Sequence, residues 1–193
     1  MVIPWQLAVF MTNRAVTTDP KGEVHMKKNV QNVGSCPNKK TSMEGSYITG
    51  FVDGEGCFMI SFNKREKLVT GIEVRPSFSI AQNKRNLKVL ELVRDYFGCG
   101  AIRFSKKDQC YKYEVRSIGD IRNKIIPHFK KYPLITSKNA DFQKFADICD
   151  MITASKHLNK KYLEDIIEKA YQMNESGKRR YTKEQLLRIV RTR

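Results

Sequence analysis

The chain is short of the features that mark membrane, secreted and zinc proteins. No apolar run approaches the roughly 20 residues that a spanning helix needs. The opening Met1–Met11 stretch is broken by Pro4 and Gln6 and lacks a basic start, which makes it a poor signal peptide. Cysteine is sparse and odd in number: five, at positions 36, 57, 99, 110 and 149, with no CxxC pair. Reduced, buried or incidental thiols are therefore expected in place of disulfides or a zinc site. The three histidines, at 25, 128 and 157, are isolated and supply neither a zinc cluster nor a His-based nuclease motif. Acidic residues are also scarce: 20 stand against 36 basic ones, for a net charge of +16. That excess implies a polyanionic partner, nucleic acid first and an anionic membrane surface second. At 193 residues the expectation is one ordinary domain with a proper core plus tails, in an intracellular, zinc-free protein.

Read in order, residues 1–43 carry no sustained period and are rich in Thr, Asn, Lys and Gly. They read as a flexible N-terminal extension, and Met26 or Met43 could equally start a shorter product. Residues 44–174 hold the periodic segments. A helix over Tyr47–Val52, capped by Ser46 or Ser42, is followed by alternation in Cys57–Arg65, with Phe58, Ile60 and Phe62 on one face. A turn spans Lys64–Gly71, and Glu73–Gln82 alternates again, with Val74, Phe78 and Ile80 inward. Lys84–Phe97 is helical, striped by Leu87, Leu90, Val93 and Phe97 and stopped by Gly98. A second hairpin covers Ala101–Lys107 and Gln109–Ser117. Next comes a helix over Ile118–Tyr132, interrupted or kinked by Pro127, then helices over Lys138–Ala154 and Leu158–Met173. Residues 175–193 read as a basic C-terminal tail with a last helix from Thr182.

Hairpins joined by helices imply an antiparallel sheet covered by helices on one face, an α+β domain. The positions turned away from the helices are polar: Ser61, Asn63, Arg65, Arg75, Ser77, Ser79, Arg103, Ser105, Lys107, Lys112, Glu114 and Arg116. A solvated face would produce the same alternation. The mixture of donors and acceptors, however, is of the kind that reads base edges from a β-ribbon in the major groove.

One stretch breaks a local rule. In Tyr47-Ile48-Thr49-Gly50-Phe51-Val52-Asp53-Gly54-Glu55-Gly56-Cys57-Phe58, two carboxylates, Asp53 and Glu55, stand at the end of a helix. There the dipole disfavours them by about 0.3–1 kcal/mol. Gly50 and Gly54 lie four apart on one face, at a cost of roughly 1 kcal/mol each relative to alanine, the pattern left where another backbone comes close. A calcium loop is excluded, because Cys57 and Phe58 stand where an EF-hand needs a ligand and a glycine. A plain turn is the bland alternative for Asp53–Gly56.

With its flanks, Ile48–Gly56 resembles the signature of the LAGLIDADG homing endonucleases, and only one copy is present. The resemblance, which runs from about residue 46 to about 152, implies an αββαββα core whose saddle-shaped sheet lies on DNA. It implies a homodimer meeting through Gly50, Phe51 and Gly54, and a metal-dependent endonuclease cutting a long, nearly palindromic double-stranded site. Glu55 takes the place of the metal-binding acid, for Mg²⁺ or another divalent cation such as Mn²⁺. Gln82, in Ile80-Ala81-Gln82-Asn83-Lys84, matches the family's active-site glutamine, and Lys138, after Tyr132-Pro133-Leu134-Ile135-Thr136-Ser137, its lysine. Thr136 and Lys144 complicate that last register. Asp53 is expected to be structural. An intron-splicing RNA maturase and a non-catalytic DNA-binding regulator on the same fold are the alternatives. No splice-junction motif flanks the domain, so a free-standing or intron-encoded protein of an organelle or a bacterium is expected.

Overall fold

The structure, a computed structural model, describes residues 44–174 and 177–192. The expected flexible extension over 1–43 lies outside the described residues. Helix α1 (Gly45–Glu55) runs directly into strand β1 (Gly56–Lys64). Strand β2 (Ile72–Asn83), a short 3-10 turn over Lys84–Asn86 and helix α2 (Leu87–Phe97) follow. Strands β3 (Ala101–Ser105) and β4 (Cys110–Val115) form the second hairpin. Beyond it come α3 (Ile118–Asp120), a π-helical stretch over Ile121–Ile125 and α4 (Ile126–Lys131). Helices α5 (Lys138–Thr153), α6 (Lys160–Tyr171) and α7 (Lys183–Thr192) complete the described chain. The strands pair antiparallel in the order β1-β2-β4-β3, the α+β architecture that the alternation implied.

The apolar face of the sheet and the helices share one core. Phe58 is at its centre, its ring 5.2–5.3 Å from the rings of Phe78, Phe129, Phe142 and Phe145. Such ring pairs each add about 0.5–1.5 kcal/mol beyond their buried area. The cysteines at 57, 99, 110 and 149 are free thiols. Among the described residues, no helix is long and apolar enough to cross a membrane.

Several local expectations change in detail. Ser46 lies inside α1, whose N-cap is Glu44 with no side-chain cap; Ser42 is outside the described residues. The interruption expected at Pro127 falls just before it. Ile126 N–H donates to Ile121 O, five residues back, and Pro127 then lands in the first turn of α4. A proline is tolerated there because that turn needs no N–H from it, and the widened turn absorbs the change of register. Gly98 adopts φ +58 to close α2, and Gly100 adopts φ +79 against the Tyr113 ring, where a Cβ would stand 2.7 Å from it. Strand β4 pairs with β2 only from Phe78 onward, so residues 72–77 keep a free edge. Pro76 sits there, where no donor is required on that side.

The segment expected as a basic tail is in large part packed. Thr182 and Gln185 form a reciprocal capping box at the start of α7, with Gln185 N–H donating to Thr182 Oγ1 and Thr182 N–H to Gln185 Oε1. Leu186 and Val190 are fully buried in the common core. Lys183 and Arg191 pair with Glu168 and Glu164 of α6.

Beneath α1 lies a buried polar cluster. Thr49 Oγ1 donates to Tyr132 O at 3.0 Å and lies 3.2 Å from His128 Nε2, while Tyr96 Oη lies 3.0 Å from His128 Nδ1. A hydroxyl has one proton to give, and Thr49 gives it to Tyr132. His128 must therefore be protonated on Nε2 and accept from Tyr96 on Nδ1. Burial pushes His128 down to about 4 from its ordinary 6.5. The unfolded chain binds that proton below pH 6.5 and the folded chain refuses it until about pH 4, so stability falls as pH drops through this window, by ~3 kcal/mol. Thermal melts from pH 7 to pH 4 should show the loss in wild type and a shallower slope in His128→Gln.

Candidate functional site

The site is built at the junction of α1 and β1. Val52 O accepts the Gly56 N–H that ends α1, and it also accepts from Lys138 Nζ at 2.8 Å. The ammonium is thus held against the carbonyl end of α1, where the helix dipole favours a cation. Burial lowers the Lys138 pKa, while the negative charges of Asp53, Glu55 and Asp141 and the Cys57 thiol pull it back up. Glu55, the last residue of α1, is exposed beside it. Lys144, the competing lysine, is committed elsewhere, donating to Gln172 O at 3.0 Å.

Asp53 is the clamp that builds this corner. Its carboxylate accepts from Ile135 N–H at 2.9 Å, from Thr136 N–H at 3.4 Å and from the Thr136 hydroxyl at 2.6 Å. Thr136 Oγ1 in turn accepts from Lys138 N–H at 3.2 Å. Desolvation raises the Asp53 pKa, but the hydrogen bonds from Ile135 and Thr136 outweigh it and leave the carboxyl below its ordinary value. Lys138 is therefore held at both ends, its backbone through Thr136 and Asp53 and its head by Val52. The sequence carried a signal for this: an acid at the wrong end of a helix needs donors, and Thr136-Ser137 could supply them.

Gln82 reaches the same level by register. Ile80 pairs with Gly56, so Gln82 stands two residues farther along, toward the last turn of α1. Its Oε1 accepts from Asn86 Nδ2 at 3.0 Å, so its side chain is engaged with the following 3-10 turn. The structure thus puts Lys138 within electrostatic reach of Glu55 and leaves Gln82 turned to a local partner.

On the outer face of α1, a Cβ at Gly50 or Gly54 would meet, among the described residues, no atom within 4 Å beyond the helix's own backbone and the adjoining residues. Tyr47 is 55% exposed on the same helix, its ring 6.4 Å from that of half-buried Phe51. Among the described residues, no group of three or more His, Cys, Asp or Glu side chains gathers to hold a metal ion. Glu55 is a hard oxygen donor of the right chemistry for a divalent cation, yet one carboxylate is too few.

Register places the expected polar positions on one side of the sheet, with Asn63 opposite Glu73, Ser61 opposite Arg75 and Arg103 opposite Lys112. Ser61 donates to Arg75 O, and Ser105 donates to Asp108. Arg103, Lys107 and Arg116 are exposed. Two expectations need correction. Ser77 and Ser79 lie on this side but are only 5% and 4% exposed, short side chains beside longer cross-strand neighbours, Met59 for Ser77 and Cys57 and Glu114 for Ser79. The Glu114 side chain is 9% exposed, with both oxygens paired to cations, Lys112 at 3.2 Å and Arg116 at 2.8 Å. Glu73 likewise joins Arg65 and Arg75 at 2.9 and 3.0 Å. These carboxylate-centred clusters were missed, although opposite charges two apart on a strand share a face and could have signalled them. The C-terminal segment also lies beside this face. Asn174 Nδ2 donates to Phe58 O at 2.7 Å, and Lys178 to Tyr181 line a concavity together with Met59, Ser61 and Asn63.

Residues 48–149 match the profile of the LAGLIDADG endonuclease family. A Neurospora crassa protein named "Probable intron-encoded endonuclease 2" is 34% identical over 130 residues, which is 67% of this chain and 29% of that protein. The chain spans less than half of the length of the fungal intron-encoded relatives it matches. Among solved structures, the homing endonuclease I-TnaI is 36% identical with a TM-score of 0.69, covering 78% of this chain and 98% of that one. I-SmaMI bound to an uncleaved DNA target in the presence of calcium ions is 31% identical with a TM-score of 0.67, over 69% of this chain and 45% of that one. With its signature at the α1–β1 junction and its four-stranded antiparallel sheet, the chain belongs to the LAGLIDADG endonuclease family.

Proposed function

We propose that the protein is a homing endonuclease that cuts both strands of a long, nearly palindromic DNA site as a homodimer with a divalent cation. The observation that carries this reading is the corner itself: an exposed Glu55 beside a doubly anchored Lys138, at the end of a helix whose glycine face is open. Pairing two α1 helices through Gly50, Phe51 and Gly54 brings two Glu55 carboxylates together, and two carboxylates make the hard-oxygen site that one cannot. The likeness to about half of I-SmaMI and nearly all of I-TnaI suits a chain that supplies one half of a two-part enzyme.

A divalent cation at the paired Glu55 carboxylates would polarise the scissile phosphate and lower the pKa of an attacking water. The chain's own part is to place charges. Glu55 supplies oxygen ligands. Lys138, whose cationic form Asp53 and Glu55 favour against the stronger opposing pull of burial, is placed to stabilise negative charge developing on the phosphate oxygens. Gln82, freed from Asn86, can orient water from the sheet side. The polar sheet face binds the major groove on either side of the cut. Presence of Glu55, Gln82 and Lys138 together favours cleavage over a purely regulatory role. Incubation with DNA carrying the uninterrupted insertion site tests the reading: cutting with Mg²⁺ or Mn²⁺ and none with EDTA is expected, and metal-independent cutting, or none, rejects it.

The C-terminal cations divide into two kinds. Arg179 donates to Ala170 O and Met173 O and stacks on Tyr171, so it closes α6. Among the described residues, Lys178 makes no such structural contact, and Arg180 lies against the Tyr181 ring. Lys178→Ala with Arg180→Ala should weaken binding evenly across sequences and lower the slope of log K against log salt by about 1 for each lost phosphate contact. Arg179→Ala should lower the melting temperature instead. Salt titrations on two unrelated duplexes, alongside thermal melts, distinguish the two.

A further inference from the structure

The carboxylate-centred cluster at Glu114 does more than neutralise charge. Glu114 points to the polar side of the sheet, between Ser79 of β2 and Ala101 of β3, and is nearly enclosed there. A carboxylate at that depth keeps its ionised form only with cations at hand, and it has two. Lys112 Nζ lies 3.2 Å from Oε1, and Arg116 Nε lies 2.8 Å from Oε2. The Arg116 side chain is 60% exposed, and it opens onto a concavity of about 540 Å³ lined also by Met59, Ser61, Asn63, Arg75 and Ser77.

Which guanidinium nitrogen is held decides what the arginine can do. The shortest contact from Arg116 to Glu114 is from Nε, the nitrogen nearest the chain, to Oε2 at 2.8 Å. Arg65 and Arg75 differ, because each meets Glu73 through a terminal nitrogen, Nη1 and Nη2 respectively. A guanidinium held at Nε presents two parallel donors at fixed spacing, which matches the O6 and N7 acceptors of guanine in the major groove. An ion pair that restricts the side chain before binding lowers the rotamer entropy that an exposed arginine would otherwise lose on contact.

We propose that Arg116 reads one guanine of the target through its terminal amino edge, and that Glu114 is the positioning residue that aims it. The proposal rests on the DNA-binding reading above. Lys112 completes the arrangement by occupying the second carboxylate oxygen, so that Glu114 has one oxygen left for Arg116 and one orientation in which to offer it.

The test uses the full chain and a randomised double-stranded DNA library. Selection with wild type yields a base-preference profile, and the same profile is then measured for Arg116→Ala, Arg116→Lys, Glu114→Gln and the Arg116→Ala/Glu114→Gln pair. One position with a guanine preference of roughly 10-fold is expected to flatten in Arg116→Ala, in keeping with a bidentate contact. Arg116→Lys, which keeps the charge and loses the fork, should flatten the same position while preserving the salt slope. Glu114→Gln should flatten that position by several-fold, and the pair should add nothing to Arg116→Ala alone. Placing 7-deazaguanine there should weaken wild type several-fold and leave Arg116→Ala unchanged. Even weakening across all positions would make Arg116 a phosphate contact and overturn the proposal, as would a Glu114→Gln effect at a different position. A wild type that enriches no sequence at all overturns the DNA reading and this proposal together. One that enriches a site indifferent to Arg116 overturns only the proposal. Arg116 is exposed, so its two variants keep the test valid should Glu114→Gln fold poorly.

Discussion

Glu55→Gln is expected to reduce DNA cleavage at least ~100-fold while leaving affinity for the target largely intact, the scale on which one well-placed electrostatic group counts in other enzymes. Glutamine keeps the size and loses the charge that would hold a divalent cation. The fold gives no reason for collateral damage, because Glu55 is exposed at the end of α1 and the corner is held by Asp53, Thr136 and Lys138 instead. In a homodimer the change falls on both carboxylates of the paired site at once. Gel-shift titration and a cleavage time course on the same duplex separate the two effects. Full cutting by the variant would remove Glu55 from the chemistry. A parallel loss of binding and cutting would make it part of the docking surface only.

Gly50→Leu should leave the single chain folded and destroy assembly and cutting. Among the described residues, no atom beyond the helix's own backbone and the adjoining residues stands within 4 Å of a Cβ at this position, so leucine should fit the free chain and raise helix stability by about 1 kcal/mol relative to glycine. Between two closely packed helices it meets itself across a twofold axis. Overpacking costs about 1–3 kcal/mol where surroundings can adjust, and a backbone contact at glycine adjusts little. The melting temperature should therefore hold or rise, while sedimentation with and without target DNA shows loss of the dimer. A wild type that binds and cuts as a monomer would falsify the paired-Glu55 site, and a Gly50→Leu chain that unfolds would show that the open face is already part of the monomer's own packing.

Much of the architecture was legible in the chain because periodicity is local. A strand with one face buried must alternate, and Phe58, Ile60 and Phe62 do so whatever packs against them. A helix lying on a sheet must carry a stripe, as Leu90, Val93 and Phe97 do. The Gly50–Gly56 stretch stood out for a local reason too, since acids and glycines at a helix end violate preferences that any helix has. By itself, then, the sequence determined the order and faces of the elements, the basic character of the surface and the place where chemistry was to be sought.

Only the tertiary structure decided which groups meet there. Lys138 and Val52 are 86 positions apart, and nothing in either neighbourhood specifies that the ammonium caps that carbonyl. Asp53 was readable as structural, but its donors, Ile135 and Thr136, were not readable as its partners. Alternation placed Ser77 and Ser79 on the polar side and could not show that the ladder buries them. It placed Glu114 there as a reader of bases, whereas two cations enclose its carboxylate and turn it into a support for Arg116. Residue types and spacing set the side to which a group points. How far it reaches, and what it touches, depends on the depth of its neighbours, and that is set when distant segments pack into one core.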